Sequence, residues 1–187
     1  SLEVLRGIHS YALENNSEVG FLGDFYDTVY RRGTIPVDML NVLLEFFAKE
    51  WKVPMIMIPG NHDYIDASEN EHALEPFGHA NELITIVSIP QIINRVMWVP
   101  WCRDNDKLRK MFDRNDMISE YDVIFGHFDV IGAHVNNNTL SDRGLHRRDF
   151  PYPVISGHYH KPQKLGPVTY IGSPYQTSMG EAGQKKY

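Results

Sequence analysis

The stretch VPMIMIPGNHDY, residues 53–64, sets an apolar run directly against three adjacent polar side chains, Asn61, His62 and Asp63. A short apolar run bounded by proline and glycine reads as a buried strand, the kind found in parallel sheets covered by helices. In open α/β sheets the carboxyl ends of the strands form the edge at which ligands are held. The stretch therefore predicts a strand that hands over to a functional loop at Gly60. One such loop is ordinary turn chemistry, because Asn, Asp and Gly all favour turns.

Repetition changes that reading. Three further apolar runs end in the same way, in GDFYD at 23–27, GHFD at 126–129 and GHYH at 157–160. Together the strand ends offer a carboxylate, an amide oxygen and imidazoles, a mixed oxygen and nitrogen donor set that suits manganese, iron or zinc better than calcium. Independent turns do not explain such a set, and convergence of the strand ends on a metal does.

The rest of the chain supplies a matching framework. LEVLRGIHSYAL has apolar residues at helical spacing, and VGFLGD follows as a strand. In PVDMLNVLLEFFAKEW, Pro36 stands at a helix start and Val37, Leu40, Leu44 and Phe47 fall along one face. A short helix is expected over 70–77, then two β-rich runs, LITIVSI and IINRVMWVP. DNDKLRKMFDRNDMI reads as a helix capped by Asp104, and YDVIFGH, YPVISGH and VTYIGS read as strands. Residues 136–150 are polar and irregular and read as a surface loop. The order predicts an α/β domain whose sheet is mainly parallel at first, with more directly connected strands later.

Composition narrows the classes. At 187 residues, 42% hydrophobic and 22% charged, the chain is expected to form a single domain over 1–187. No apolar run approaches the roughly 18 residues of a membrane span, and no charged and apolar leader opens the sequence. A single cysteine, Cys102, leaves no internal disulfide or multi-cysteine metal site and points to a reducing, cytoplasmic setting. Cys102 has no paired base in sequence and is expected to pack rather than react. The net charge of -6 argues against a generally basic nucleic-acid surface. Arg143, Arg147, Arg148, Lys161 and Lys164 can still form a local basic rim, or equally a set of solvated loop charges. Tyr26, Tyr30, Tyr64 and Tyr159 are candidates either for stacking on bases or for the core.

The ordered strand-end blocks resemble the calcineurin-like metallophosphoesterase superfamily, whose signature runs D-x-H, G-D-x-x-D, G-N-H-D/E, G-H and G-H-x-H. All but the first block are present, in order, between residues 23 and 160. Within that superfamily, GDFYDT, PGNHD, ISGHYHKPQ and the tail YIGSPYQTSMGEAGQKK are similar to SbcD-type nuclease subunits of DNA break-repair complexes. The resemblance implies a four-layer α/β/β/α sandwich. It also implies two divalent metals, manganese favoured over iron, zinc or magnesium. By position, Asp24 would bridge the metals, Asn61, His127 and His158 would complete one, and His160 would bind the other. His62 would face the reacting phosphate and protonate the leaving oxygen, with the Asp27 carboxylate orienting its ring, while Asp63 and Asp129 would hold loops.

The implied activity is direct phosphodiester hydrolysis by an activated water, with DNA as substrate, an SbcC-type ABC ATPase as partner and a homodimer as the assembly. A phosphatase or small-molecule phosphodiesterase of the same superfamily is the alternative, as is a non-catalytic interaction module with an incomplete metal site. The D-x-H block and its strand are expected to precede Ser1 in the parent protein, and no capping domain is visible. Without that block, the chain is expected to hold one metal well, the second incompletely, and to hydrolyse poorly.

Overall fold

The computed structural model describes residues 2–27, 35–113 and 120–175. It divides into two compact units, Ser1–Ser88 and Ile89–Tyr187, each with its own core. As expected, helices and strands alternate in the first unit, and the strands of the second are more directly connected. Tyr30, the end of the helix read over DNDKLRKMFDRNDMI and most of the Gly-Ser-Pro tail lie outside the described residues.

In the first unit, α1 (Leu2–Glu14), β1 (Val19–Leu22), α2 (Val37–Lys49), β2 (Met55–Ile58), α3 (Glu75–Ala80) and β3 (Ile84–Ile86) follow one another. The three strands form a parallel sheet in the order β1-β2-β3, with Leu22 level with Ile58. That register brings the loops after β1 and β2 out side by side. Phe46, Phe47, Trp51, Met57, Leu74 and Phe77 fill the core. Asn81 Nδ2 ties it together, donating to the carbonyls of Phe47 (2.8 Å) and Trp51 (3.0 Å).

Two readings are corrected here. The buried stripe of α2 is Leu43, Phe46 and Phe47, and Val37 is 70% exposed. The large rings decide this, since Phe46 meets Trp51 at 6.0 Å and Phe47 meets Phe77 at 4.8 Å between centroids. The helix expected over 70–77 starts only at Glu75, because Pro76 fixes the first turn and His72 is engaged in a bridge with Tyr64.

His72 is 5% exposed, with Nε2 2.8 Å from Ser88 Oγ and the Leu74 N–H donating to Nδ1 at 3.3 Å. Burial lowers its pKa, and Glu75 only partly opposes this. Because the folded-state pKa lies below the unfolded one, the unfolded chain takes up the proton first as pH falls. Stability is therefore unaffected by His72 above the ordinary imidazole range of about 6.5 and decreases below it. Thermal unfolding at pH 7.5 and 5.5 should show a larger drop for the wild type than for His72→Gln; equal drops would contradict this.

The second unit runs β4 (Gln91–Ile93), β5 (Val96–Val99), α4 (Asn105–Phe112), β6 (Val123–His127), a 3₁₀ turn (Arg147–Asp149), β7 (Val154–Gly157), β8 (Gln163–Leu165) and β9 (Val168–Tyr170). Its sheet order is β4-β5-β6-β7-β9-β8, parallel from β5 through β9 and antiparallel at both edges. Asp104 caps α4 as expected, its carboxylate accepting from the N–H groups of Asp106 and Lys107 at 3.0 Å.

Two hairpins add turns that the strand readings did not include. IINRV folds at Asn94 and Arg95, both at positive φ (51° and 62°), the conformation of a two-residue type I′ turn. QKLGPV folds at Gly166–Pro167, making QKL an edge strand whose Gln and Lys masked it in sequence, although such residues suit an edge.

Residues 136–150 are not wholly superficial. Leu145 is fully buried, its N–H donates to Asp129 O at 2.9 Å, and its carbonyl accepts from Ile131 N–H at 3.0 Å. Gly144 makes this return possible at φ 103°, where an added Cβ would lie 2.3 Å from the Asp129 carbonyl oxygen. Gly144→Ala is expected to cost about 2–3 kcal/mol, combining backbone strain with the clash. Urea denaturation checks it; a loss under about 0.5 kcal/mol, the level of a plain surface substitution, would show the close approach to be unimportant.

Candidate metal centre

In the first unit the polar loops after β1 and β2 are built on Asp63. This side chain is 0% exposed, and its Oδ2 accepts from the N–H groups of Asp24 and Gly60, each at 2.8 Å, while Oδ1 accepts from Tyr26 N–H at 3.0 Å. One carboxylate thus gathers three backbone donors from two loops that lie far apart in sequence. Asp24 is held at both ends, since its Oδ1 also accepts from His62 N–H at 2.9 Å. Its φ of 61° lies in the left-handed region, uncommon for a residue with a side chain and typical of positions fixed by their surroundings.

Asn61 and His62 are half-buried on the same loop. The His62 Nδ1–H donates to the main-chain carbonyl of Asp27, whereas the expectation named the Asp27 carboxylate; the Asp27 side chain is exposed. A ring held at Nδ1 presents Nε2 outwards.

In the second unit the two central strands carry the imidazoles. His127 closes β6, fully buried, and is level with Gly157 at the end of β7. His158 follows at φ 87°, again left-handed for a non-glycine residue. The consequence is that His127 Nε2 and His158 Nδ1 face each other at 3.1 Å. Gly126 is required one residue earlier, since a Cβ there would sit 2.2 Å from the Phe128 ring that folds back over it. His160 lies exposed on the turn beyond, and its carbonyl accepts from Ser173 N–H at 3.2 Å.

On its other side the His158 ring meets Asp129, with Nε2 3.1 Å from Oδ1, and the Tyr159 hydroxyl donates to that same oxygen. Burial alone would raise the Asp129 carboxyl, but the hydrogen bond from His158, helped by Tyr159 and Arg143, holds it below the ordinary range. Burial pushes the Tyr159 phenol up, and its bond to Asp129 adds to that. Trp101, on the loop after β5, lies over His158 at 5.3 Å and meets His127 edge-on at 6.1 Å.

The donor chemistry in each unit fits a divalent transition ion. The first unit offers carboxylate and amide oxygens on fixed loops, and the second offers two imidazole nitrogens at the separation of neighbouring ligands on one cation. Neither the place of Trp101 beside the imidazoles nor the bond from Asp129 to His158 had a sequence signal of its own. Base stacking is excluded for Tyr26, Tyr64 and Tyr159, which are buried at 6%, 5% and 6% exposure. Cys102 Sγ donates to the Asp104 carbonyl at 3.6 Å, a packing role at the start of α4.

A family model for calcineurin-like phosphoesterases matches residues 2–162. This chain belongs to that family. The match runs through both units of the phosphoesterase and includes Asp24, Asn61, His62, His127, His158 and His160. The SbcD polypeptide of the nuclease SbcCD from Staphylococcus epidermidis is 24% identical over 202 residues, an alignment covering 88% of this chain and 52% of that protein. The phosphoesterase chain thus spans about half the length of this curated relative. Among the described residues, no helix is long and apolar enough to cross a membrane.

Proposed function

We propose that this phosphoesterase cleaves phosphodiester bonds in DNA as an SbcD-type nuclease subunit, in one catalytic domain formed by residues 1–187 and acting in the cytoplasm. The observation that carries the metal-dependent part is the His127–His158 pair, two imidazole nitrogens turned towards each other at 3.1 Å at adjacent strand ends. The choice of DNA is supported by the similarity to a nuclease subunit and by the exposed Arg143, Arg147 and Arg148 in the loop before β7. An SbcC-type ATPase and a second copy of the chain are the proposed partners, on the strength of the same relative.

In this reading Asp24, Asn61, His127, His158 and His160 would hold the divalent ions, with the Asp24 carboxylate shared, Asn61, His127 and His158 serving one ion and His160 the other. Manganese is the favoured ion; bound divalent cations would supply Lewis acidity and an activated water. The protein's own part is positional. Asp63 keeps Asp24 and the Asn61 loop in place through three main-chain bonds. Asp27 holds the His62 ring at Nδ1 through its carbonyl, which turns Nε2 towards the position from which a proton is given to the departing oxygen.

Manganese-supported hydrolysis of single- and double-stranded DNA, compared with p-nitrophenyl phosphate and its bis-ester, tests the reading. DNA and the bis-ester should be preferred. Preference for the monoester would overturn the nuclease assignment in favour of a phosphatase, and no turnover on any substrate would favour a non-catalytic module.

A further inference from the structure

We propose that Asp129 is a positioning residue for His158: its carboxylate takes the Nε2–H of the ring, so that Nδ1 keeps its lone pair and faces His127 as a metal donor. The inference rests on the reading of His127 and His158 as ligands and assigns the group that aims one of them.

The count of hydrogens on the two groups fixes the tautomer. A neutral imidazole has one N–H and one lone pair, and an ionised carboxylate can only accept. With Asp129 Oδ1 3.1 Å from Nε2, the hydrogen belongs on Nε2. Nδ1 then carries the lone pair, and it is the nitrogen 3.1 Å from His127 Nε2. Carboxylates behind metal-bound histidines act in this way, fixing both the tautomer and the ring orientation.

Topology explains how the carboxylate reaches the ring. Strands β6 and β7 are adjacent, with His127 level with Gly157, so the residues just past each strand end meet across the pair. The GHFD segment therefore carries both one ligand and, two residues on, the group that orients the other. Asp129 is itself anchored. Its main-chain carbonyl accepts from Leu145 N–H at 2.9 Å, Gly144 packs against its backbone, and Arg143 Nε stands 3.8 Å from Oδ2. At 9% exposure it has little freedom to swing away. A role limited to satisfying the Tyr159 hydroxyl would leave the tautomer of His158 undetermined.

That difference is measurable. In the metal-free chain at pH 8, with ¹⁵N-labelled histidine and the His158 resonances identified by their absence in His158→Ala, long-range ¹H–¹⁵N correlation should show the Nε2–H tautomer. A predominant Nδ1–H form in the wild type would overturn the proposal however the variants fold. Asp129→Ala should shift the tautomer towards Nδ1–H and weaken Mn²⁺ binding about 10–100-fold by calorimetry. Asp129→Asn, which retains an acceptor oxygen, should restore the tautomer and part of the affinity, whereas Tyr159→Phe should leave the tautomer unchanged. If His158→Ala loses Mn²⁺ while Asp129→Ala binds it as the wild type does, the positioning role is wrong and the ligand reading stands. If His158→Ala binds Mn²⁺ as the wild type does, the ligand reading itself fails.

Discussion

Replacing Asp63 with alanine is expected to lower the unfolding free energy by about 3–5 kcal/mol. The side chain is fully buried, and its removal strands the N–H groups of Asp24, Tyr26 and Gly60 away from any acceptor the loops provide. Hydrogen bonds to a charged acceptor contribute roughly 1.5–3 kcal/mol each, and unsatisfied buried donors carry a desolvation cost of their own. In a chain of 187 residues a loss of that size lowers the melting temperature by roughly 10 °C. Asp63→Asn should be nearly as harmful, because both carboxylate oxygens are already accepting and the amide would turn an NH₂ towards a main-chain N–H. Thermal unfolding followed by circular dichroism checks both; a shift under about 3 °C for either variant would mean that the loops hold themselves.

His62→Ala separates chemistry from structure. Turnover on the bis-ester or DNA should fall by about 10²–10⁴-fold, the usual contribution of a positioned general acid. Mn²⁺ affinity should stay within about threefold, because the proposed ligands are other side chains and the main-chain N–H of residue 62 that bonds to Asp24 is retained in the variant. The melting temperature should change little, since the ring is half-buried and held at one nitrogen by an exposed loop residue. Parallel loss of metal and activity would instead make His62 a ligand. Full activity with normal metal content would remove it from the mechanism.

Much of this was legible in the sequence because the chemistry sits where local patterns are strongest. Short apolar runs such as VPMIMIP, YDVIFGH and YPVISGH announce strands, and the glycine and donor that close each one announce the loop. The role of Asp63 as a loop holder followed from its position in Asn-His-Asp. Its three bonds did not, since two of the donors come from a strand end that parallel pairing brings alongside.

What escaped the sequence depends on contacts between distant segments. The link from Asp129 to His158 exists because β6 and β7 pair in one register, and nothing in GHFD alone distinguishes it from a turn. The inward face of α2 keeps the expected Phe47 but takes in Leu43 and Phe46 and leaves Val37 exposed, because Trp51 and Phe77 supply rings for Phe46 and Phe47 to pack on, which helical spacing within α2 cannot reveal. The hairpins at Asn94–Arg95 and Gly166–Pro167 were hidden by strands of three and four residues, too short to show a period.

The proposed divalent metal centre requires Asp24. Mn²⁺ content, read by electron paramagnetic resonance during titration of the wild type and Asp24→Ala, tests it most directly. Saturable binding by the wild type is expected, with loss of most of it in the variant and the fold retained. Equal Mn²⁺ content in the two proteins would contradict it.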